Sequence, residues 1–373
     1  MSRVCILGNS GRSLHEFYAP VERRFRRSGL NTGNNIFWYA VDAHIASPKT
    51  FLRWNADPKQ INQGSDCLVI VAANWISEAI DLTIIANMLE NVTVPIIVIG
   101  LGIGVLDLAD EIILKPGTQR FITLLRDKDA HVCVRGTATA KWLAKQQIKH
   151  IHIAGCPSNF INPKLNLGRI IADKFLRQIN DVVLSVEASP LHAKGNRKLF
   201  ALAKDYNWLG IAQDPLNVLE VIHGNVNADG GLEGMKAAAL PLPPDGTDAK
   251  TWIIQHYRAF YDAETWMDEL QRYDLQIGTK LHGSMACFQA EVPSLFVPHD
   301  LRTLEMTAAM CLPVVTPFQV LAANSLRELI DLAEFDGQVY DTNRQQLART
   351  YSGVLANHGL QISNSLQELS RAG

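Results

Sequence analysis

Short apolar runs alternate with longer stretches of helical periodicity along the first 160 residues. Runs at Val4–Leu7, Cys67–Val71, Pro95–Ile99, His131–Val134 and His150–Ile153 are too short for helices and rich in β-branched residues, so they predict strands. Between them, apolar positions at three- and four-residue spacing predict helices over Ser77–Glu90 and Thr137–Gln147. Continuously apolar strands separated by helices imply a parallel sheet covered on both faces.

The segment Asn159–Gly168 carries Asn, Pro and Gly and reads as a linker, after which the rhythm restarts. Val182–Glu187, Trp208–Ala212 and Val292–Val297 predict strands. Lys194–Lys204, Pro215–His223 and Asp262–Arg272 predict helices, as do stretches near Leu301–Cys311, Ser325–Glu334 and Asn343–Asn357. Residues 224–250 are rich in Gly, Pro and Ala and predict a long, mobile loop holding a short helix. The expectation is an α/β chain of two domains, 1–160 and 161–373, with a ligand cleft at the carboxyl ends of the strands.

Composition narrows the class. Hydrophobic residues make up 47% and charged residues 19%, as expected of a soluble globular chain, and the net charge of −2 argues against a generally basic nucleic-acid binder. The six cysteines include no CxxC pair and sit mostly in apolar runs, so neither a disulfide framework nor a zinc site is expected, and a reducing cytoplasm fits. The opening MSRVCILGNSG runs straight into a strand without the marks of a signal peptide. The longest uncharged stretch, Met306–Leu326, contains Pro313, Pro317 and Asn324 and reads as strand and loop. Any membrane contact, at the inner face, is therefore expected to be peripheral.

Candidate chemistry concentrates in residues 277–302. There Lys280 and His282 follow a strand, Gly283 and Ser284 open a helix, and His299, Asp300 and Arg302 follow the next strand. Free N–H groups at a helix start favour an anion, Lys280 and Arg302 add charge, and His282 can move a proton near neutral pH. Asp300 is placed to orient an imidazole. A second strand-to-helix turn, Arg135-Gly136-Thr137, offers another anion-binding geometry. Asn34 and Asn35, in NTGNN at 31–35, are either helix caps or amides for sugar hydroxyls. Gly100, Gly102 and Gly104 lack the GxGxxG spacing of a dinucleotide loop, and His150 and His152 alternate along one exposed strand face. No metal or cofactor is expected. Arg23, Arg24, Arg26 and Arg27 are either a solvated helix face or a contact for an anionic membrane or a diphosphate-bearing lipid.

These motifs resemble the polysaccharide pyruvyl transferase family. Four segments carry the resemblance in order: NTGNNIFWYA at 31–40, PIIVIGLGIG at 95–104, VCVRGTATAKWLAKQQIKHIHIAGCPS at 132–158 and IGTKLHGSMACFQAEVPSLFVPHDLRTLE at 277–305. The resemblance implies two facing Rossmann-like domains, similar to the GT-B arrangement. It also implies transfer of pyruvate from phosphoenolpyruvate to a sugar or lipid-linked oligosaccharide, usually as a cyclic ketal. His282 falls on the family's catalytic histidine, while Arg135, Lys280 and Arg302 fall on cationic positions, Lys280 replacing an arginine. Val71–Asn74 (VAAN) stands where many members have a glycine-rich turn. The residues alone leave two other readings open. One is a glycosyltransferase using a nucleotide sugar, with Glu187 and Asp214 as candidates for a ribose pocket. The other is a non-catalytic anion or glycan binder.

Overall fold

The computed structural model describes residues 2–104 and 112–371. The first domain is built on β1 (Val4–Leu7), β2 (Lys49–Leu52), β3 (Cys67–Val71), β4 (Ile96–Leu101), β5 (His131–Val134) and β6 (His150–Ile153), all parallel, in the order β2-β1-β3-β4-β5-β6. The second is built on β7 (Asp181–Ser185), β8 (Asn207–Ile211), β9 (Tyr257–Arg258), β10 (Leu275–Gly278) and β11 (Ser294–Phe296), also parallel, in the order β11-β10-β7-β8-β9. Two Rossmann-like domains facing across a cleft, the GT-B-like arrangement expected, are what the chain forms. Strands β3 and β4 are buried along their whole length, which is why their sequences are unbroken apolar runs. Strand β2 was not anticipated. It is an edge strand with only Leu52 buried, so its sequence, KTFL, carries no core signature.

Each sheet has one point where the strand order reverses, between β1 and β3 in the first and between β7 and β10 in the second. Chain crossovers leave opposite faces there, and the loops diverge to open a crevice at the carboxyl ends. The helix Asn34–His44 joins the two domains. Its Ile36 enters the core against Val183, Leu209 and Trp266 of the second domain, while Phe37, Trp38 and Val41 pack on β1 and β3.

The chain returns to the first domain at its end. The helix Gly337–Asn357 lies against the helix Leu167–Phe175, and Ile362 bridges to Ile45. Arg344 of that helix is fully buried and donates to the carbonyls of Asn159 (2.7 Å), Lys164 (2.8 Å) and Asn162, so it gathers the backbone of the interdomain linker.

Three local expectations change. The helix expected from Ser77 begins at Thr83, because Asp81 accepts from the Thr83 backbone and side chain and holds a turn there. Residues 224–250 are a packed segment with helices at Gly231–Ala237 and from Ala249, sealed by buried Met235 and Leu240 and by the Asn196 amide on the Ala238 carbonyl. Met306–Leu326, read as strand and loop, holds the end of the helix expected near Leu301–Cys311, seen at Leu301–Ala309, and an unexpected one at Pro317–Ala322. No described helix is long and apolar enough to cross a membrane.

Candidate active site

A cavity of about 450 Å³ opens where the two sheets present their carboxyl ends to each other. The first domain contributes Asn31, Asn34, Asn74 and Arg135. The second contributes Glu187, His192, Asp214, Lys280, His282, His299, Asp300 and Arg302.

Arg135 follows β5 and is 1% exposed. Its side chain lies across the end of β4, where a Cβ on Gly102 would come within 2.9 Å of Arg135 Cδ. Gly102 of GLGIG is thus explained by room for the Arg135 side chain, whereas Gly104 packs on Asn74 and Ser77. Nη1 donates to Asn74, while Nε and Nη2 are buried without an acceptor. Burial draws the guanidinium down to about 10, and nearby Arg302 adds to the fall against Cys156 and Glu305. It remains charged at neutral pH. A buried cation with two unmade hydrogen bonds is costly, and an anionic ligand would satisfy it.

His282 lies in the first turn of the helix Leu281–Gln289, with its ring 5.0 Å from that of Phe37 and Nε2 3.6 Å from Cys156 Sγ. The residue lines the cavity. Its pKa is held well below the ordinary value, first by burial and then by Arg135, Arg302 and Lys280. Near neutral pH it is therefore uncharged. No carboxylate among the described residues is bonded to it. Asp300, expected to orient an imidazole, instead caps the helix Leu301–Ala309, accepting from Thr303 N at 2.8 Å, and pairs with Arg302 at 3.2 Å. The ring nearest Asp300 is His299, at 3.7 Å, and it stacks edge-on to His192 with centroids 4.6 Å apart.

Lys280 lines the cavity but is not a free cation. Nζ sits 2.7 Å from Glu187 and 2.8–2.9 Å from both Asp214 oxygens, with 9% of the side chain exposed. Two acids outnumber it, so this wall of the cavity is negative where the sequence suggested positive. The acids differ. Burial works to raise Glu187, but Lys280, His299 and His192 hold it below its usual range. Asp214 is pushed up by burial and by Glu187 despite Lys280. Asn31 also donates to Asp214, at 2.5 Å.

Other sequence candidates serve the frame. Gly283 is required by packing, since a Cβ there would fall 2.0 Å from Ser185 Oγ and 2.6 Å from Gln213 Nε2. Ser284 is fully buried, accepting from Gln276 Nε2 at 2.9 Å, and does not reach the cavity. Asn35 is buried and donates to Ser28 Oγ and Tyr261 O, both at 2.9 Å, tying the domains together. Asn34 lines the cavity while its amide donates to the Ser28 carbonyl at 2.9 Å.

The turn Arg135-Gly136-Thr137 does bind an anion, but one supplied by the chain. Glu305 of the second domain accepts from Thr139 N (2.7 Å) and Thr139 Oγ1 (2.8 Å) in the first turn of the helix Thr137–Lys145. A Cβ on Gly136 would meet Glu305 Cγ at 2.3 Å. The start of Leu281–Gln289 is different. Lys280 N and Ser284 N have carbonyl partners, and the N–H groups of Leu281, His282 and Gly283 between them have none among the described residues.

The cavity therefore joins two guanidiniums, the unbonded backbone N–H groups of Leu281 and His282 and a neutral imidazole, facing an acidic wall. A model of the polysaccharide pyruvyl transferase family matches residues 15–300, which include every one of these groups but Arg302. The chain belongs to this family. Membership makes the protein a transferase in polysaccharide biosynthesis. No curated protein matches it. Among solved structures, the S. aureus MnaA–UDP complex is similar at 9% identity and a TM-score of 0.48, covering 97% of this chain and 98% of that one. The UDP-GlcNAc 2-epimerase of Neisseria meningitidis bound to UDP-GlcNAc is similar at 9% identity and a TM-score of 0.45, covering 96% and 99%. A variant of the wall teichoic acid polymerase TagF is similar at 11% identity and a TM-score of 0.40, covering 98% and 86%.

Proposed function

We propose that this pyruvyl transferase takes its pyruvyl group from phosphoenolpyruvate and places it on a sugar as a cyclic ketal across two hydroxyls. The observation that carries the reading is the buried Arg135, with Nε and Nη2 unbonded, beside a His282 kept neutral by burial and by the cations around it. Phosphoenolpyruvate brings a carboxylate and a phosphate. Arg135, Arg302 and the free N–H groups at the start of Leu281–Gln289 supply donors for both.

Binding this anion offsets the positive field on His282, raises its pKa, and lets it take up a proton. Protonated His282 gives that proton to the methylene carbon, leaving oxocarbenium character at the carbon that bears the phosphate. A sugar hydroxyl adds there and returns its proton to His282. Phosphate then departs, the second hydroxyl adds, and its proton leaves with phosphate as hydrogen phosphate. The new methyl group holds one hydroxyl proton and the phosphate the other, so atoms and charge balance. The guanidiniums are fixed before reaction, which favours the developing charge without reorganisation. Lys280 positions Glu187 and Asp214, and Asp214, with its raised pKa, is the carboxylate suited to receive an acceptor hydroxyl.

The test is an acceptor screen with phosphoenolpyruvate, following phosphate release and product mass. The expected product gains the mass of pyruvate less water. His282→Ala should lower turnover by roughly 100- to 10,000-fold. Near-full turnover in that variant, or release of a nucleotide from a nucleotide sugar in place of phosphate from phosphoenolpyruvate, would overturn the reading.

A further inference from the structure

Cys156 stands outside any apolar run, between Gly155 and Pro157 just past the end of β6. It is fully buried and precedes the short helix Pro157–Phe160. Gly155 turns the chain there with a φ of +70°, and the Cys156 N–H is bonded to Met310 Sδ of the second domain at 3.5 Å. The turn lies against the buried cation of the site. A Cβ on Gly100 would meet Pro157 Cδ at 3.8 Å and Arg135 Nε at 3.9 Å. That Nε and the neighbouring Nη2 are the donors left without an acceptor.

The sulfur joins two side chains. Ser158, also fully buried, donates its hydroxyl to Sγ at 3.0 Å, and Sγ lies 3.6 Å from His282 Nε2. The second contact crosses from the first domain to the second. The tilted Phe37 ring flanks the imidazole, and Nδ1 has no hydrogen-bond partner among the described residues. The ring is therefore held at Nε2 and left open at Nδ1. An imidazolium donates from both nitrogens, so a protonated His282 needs an acceptor at Nε2, and Sγ is the atom placed there. A proton that stays on Nε2 lets Nδ1 gain and lose another without a ring flip or a change of tautomer. Sulfur is also a weak acceptor. It orients the ring as the carboxylate of a catalytic triad does, but stabilises the imidazolium less, which leaves a stronger acid for attack on carbon.

We infer that Cys156, supported by Ser158, is the positioning residue of His282: Sγ accepts from Nε2–H and leaves Nδ1 to exchange the proton. This rests on the reading of His282 as the proton carrier. The balance of that reaction is unchanged. The Nδ1–H bond breaks as the methylene C–H bond forms, and Nδ1 then recovers a proton from the sugar hydroxyl, while the Nε2 proton and the thiol proton stay where they are.

Nitrogen NMR of the full chain carrying ¹⁵N-labelled histidine tests it, the His282 signals being those lost in His282→Ala. At neutral pH the wild-type ring should be a single tautomer with its proton on Nε2. Cys156→Ala should mix the two tautomers, and Cys156→Ser, whose hydroxyl still accepts, should restore the one. With phosphoenolpyruvate and the acceptor found by the screen, Cys156→Ala should lower kcat roughly 10- to 100-fold at an unchanged KM for phosphoenolpyruvate, and Cys156→Ser should recover most of the loss. A wild-type ring protonated on Nδ1, a single tautomer that persists in Cys156→Ala, or equal losses of kcat in the two variants would overturn the proposal. The wild-type tautomer decides even where a variant does not fold. The expected tautomers in a chain that releases no phosphate from phosphoenolpyruvate would uphold the positioning role and count against the donor reading alone.

Discussion

At Arg135 and His282, the proposed reaction depends on charges that a ligand must complete. Arg135→Met keeps an unbranched apolar stem but removes the donors, and should weaken phosphoenolpyruvate binding by roughly 10- to 100-fold in calorimetry. His282 gives a sharper test. Its folded pKa is depressed, so near neutral pH the ring is uncharged. Donor binding raises that pKa, and the complex gains a proton. The measured binding enthalpy should vary with the ionisation enthalpy of the buffer in the sense of proton uptake, and the dependence should vanish in His282→Ala. Lys280 shows why the sequence alone misleads at this scale. Its charge is evident from position 280, but Asp214, which helps to cancel it, lies 66 residues earlier. Both Glu187 and Asp214 stand just beyond strand ends, and that was the available signal. Asn74 stood only as the end of the VAAN segment, and His192 carried no signal, since it sits in no pattern that predicts a cavity wall.

Among the elements, contacts between helices and the opposing domain set the cavity's shape. Glu305→Gln would leave an amide facing donors of Thr139, at a cost of about 1–3 kcal/mol and a lower melting temperature. Gly283→Ala would force a methyl group into Ser185 and Gln213, destabilising by about 1–3 kcal/mol, and Ser185→Gly should restore part of the loss. Chemical denaturation of the single and double variants measures both effects. The strands that form the centres of the sheets were readable because burial on both faces leaves them uniformly apolar. Strand β2 and the two-residue β9 were not, because an edge position or a minimal length imposes no such pattern. The turn at Asp81 and the packed segment 224–250 escaped because side-chain bonds and distant partners, not periodicity, decide them.

For the molecule as a whole, histidines held neutral by burial govern acid stability. His44, fully buried and bonded to Phe160 O at 3.1 Å, is lowered to about 4 chiefly by burial. His131 and His223 are also lowered to about 4, with burial the main cause. A folded pKa below the unfolded one means the unfolded chain binds protons first. The stability these rings allow is complete above about pH 6.5 and is lost progressively as pH falls toward 4. For His44 the loss amounts to about 3 kcal/mol. Melting temperature should decline over that window, and less steeply in a His44→Gln variant corrected for its own loss at pH 8. The two-domain plan was legible from the linker and the restarted rhythm, whereas the return of the chain to the first domain was not, since no local pattern marks it. That return has a consequence for the order of assembly during synthesis. Arg344 lies 180 to 185 residues beyond the linker carbonyls it gathers. A nascent chain therefore emerges with both sheets complete and the hinge between them still loose. Those carbonyls stay ungathered until the helix Gly337–Asn357 has cleared the ribosome, so the apolar surfaces it covers must keep from aggregating until then.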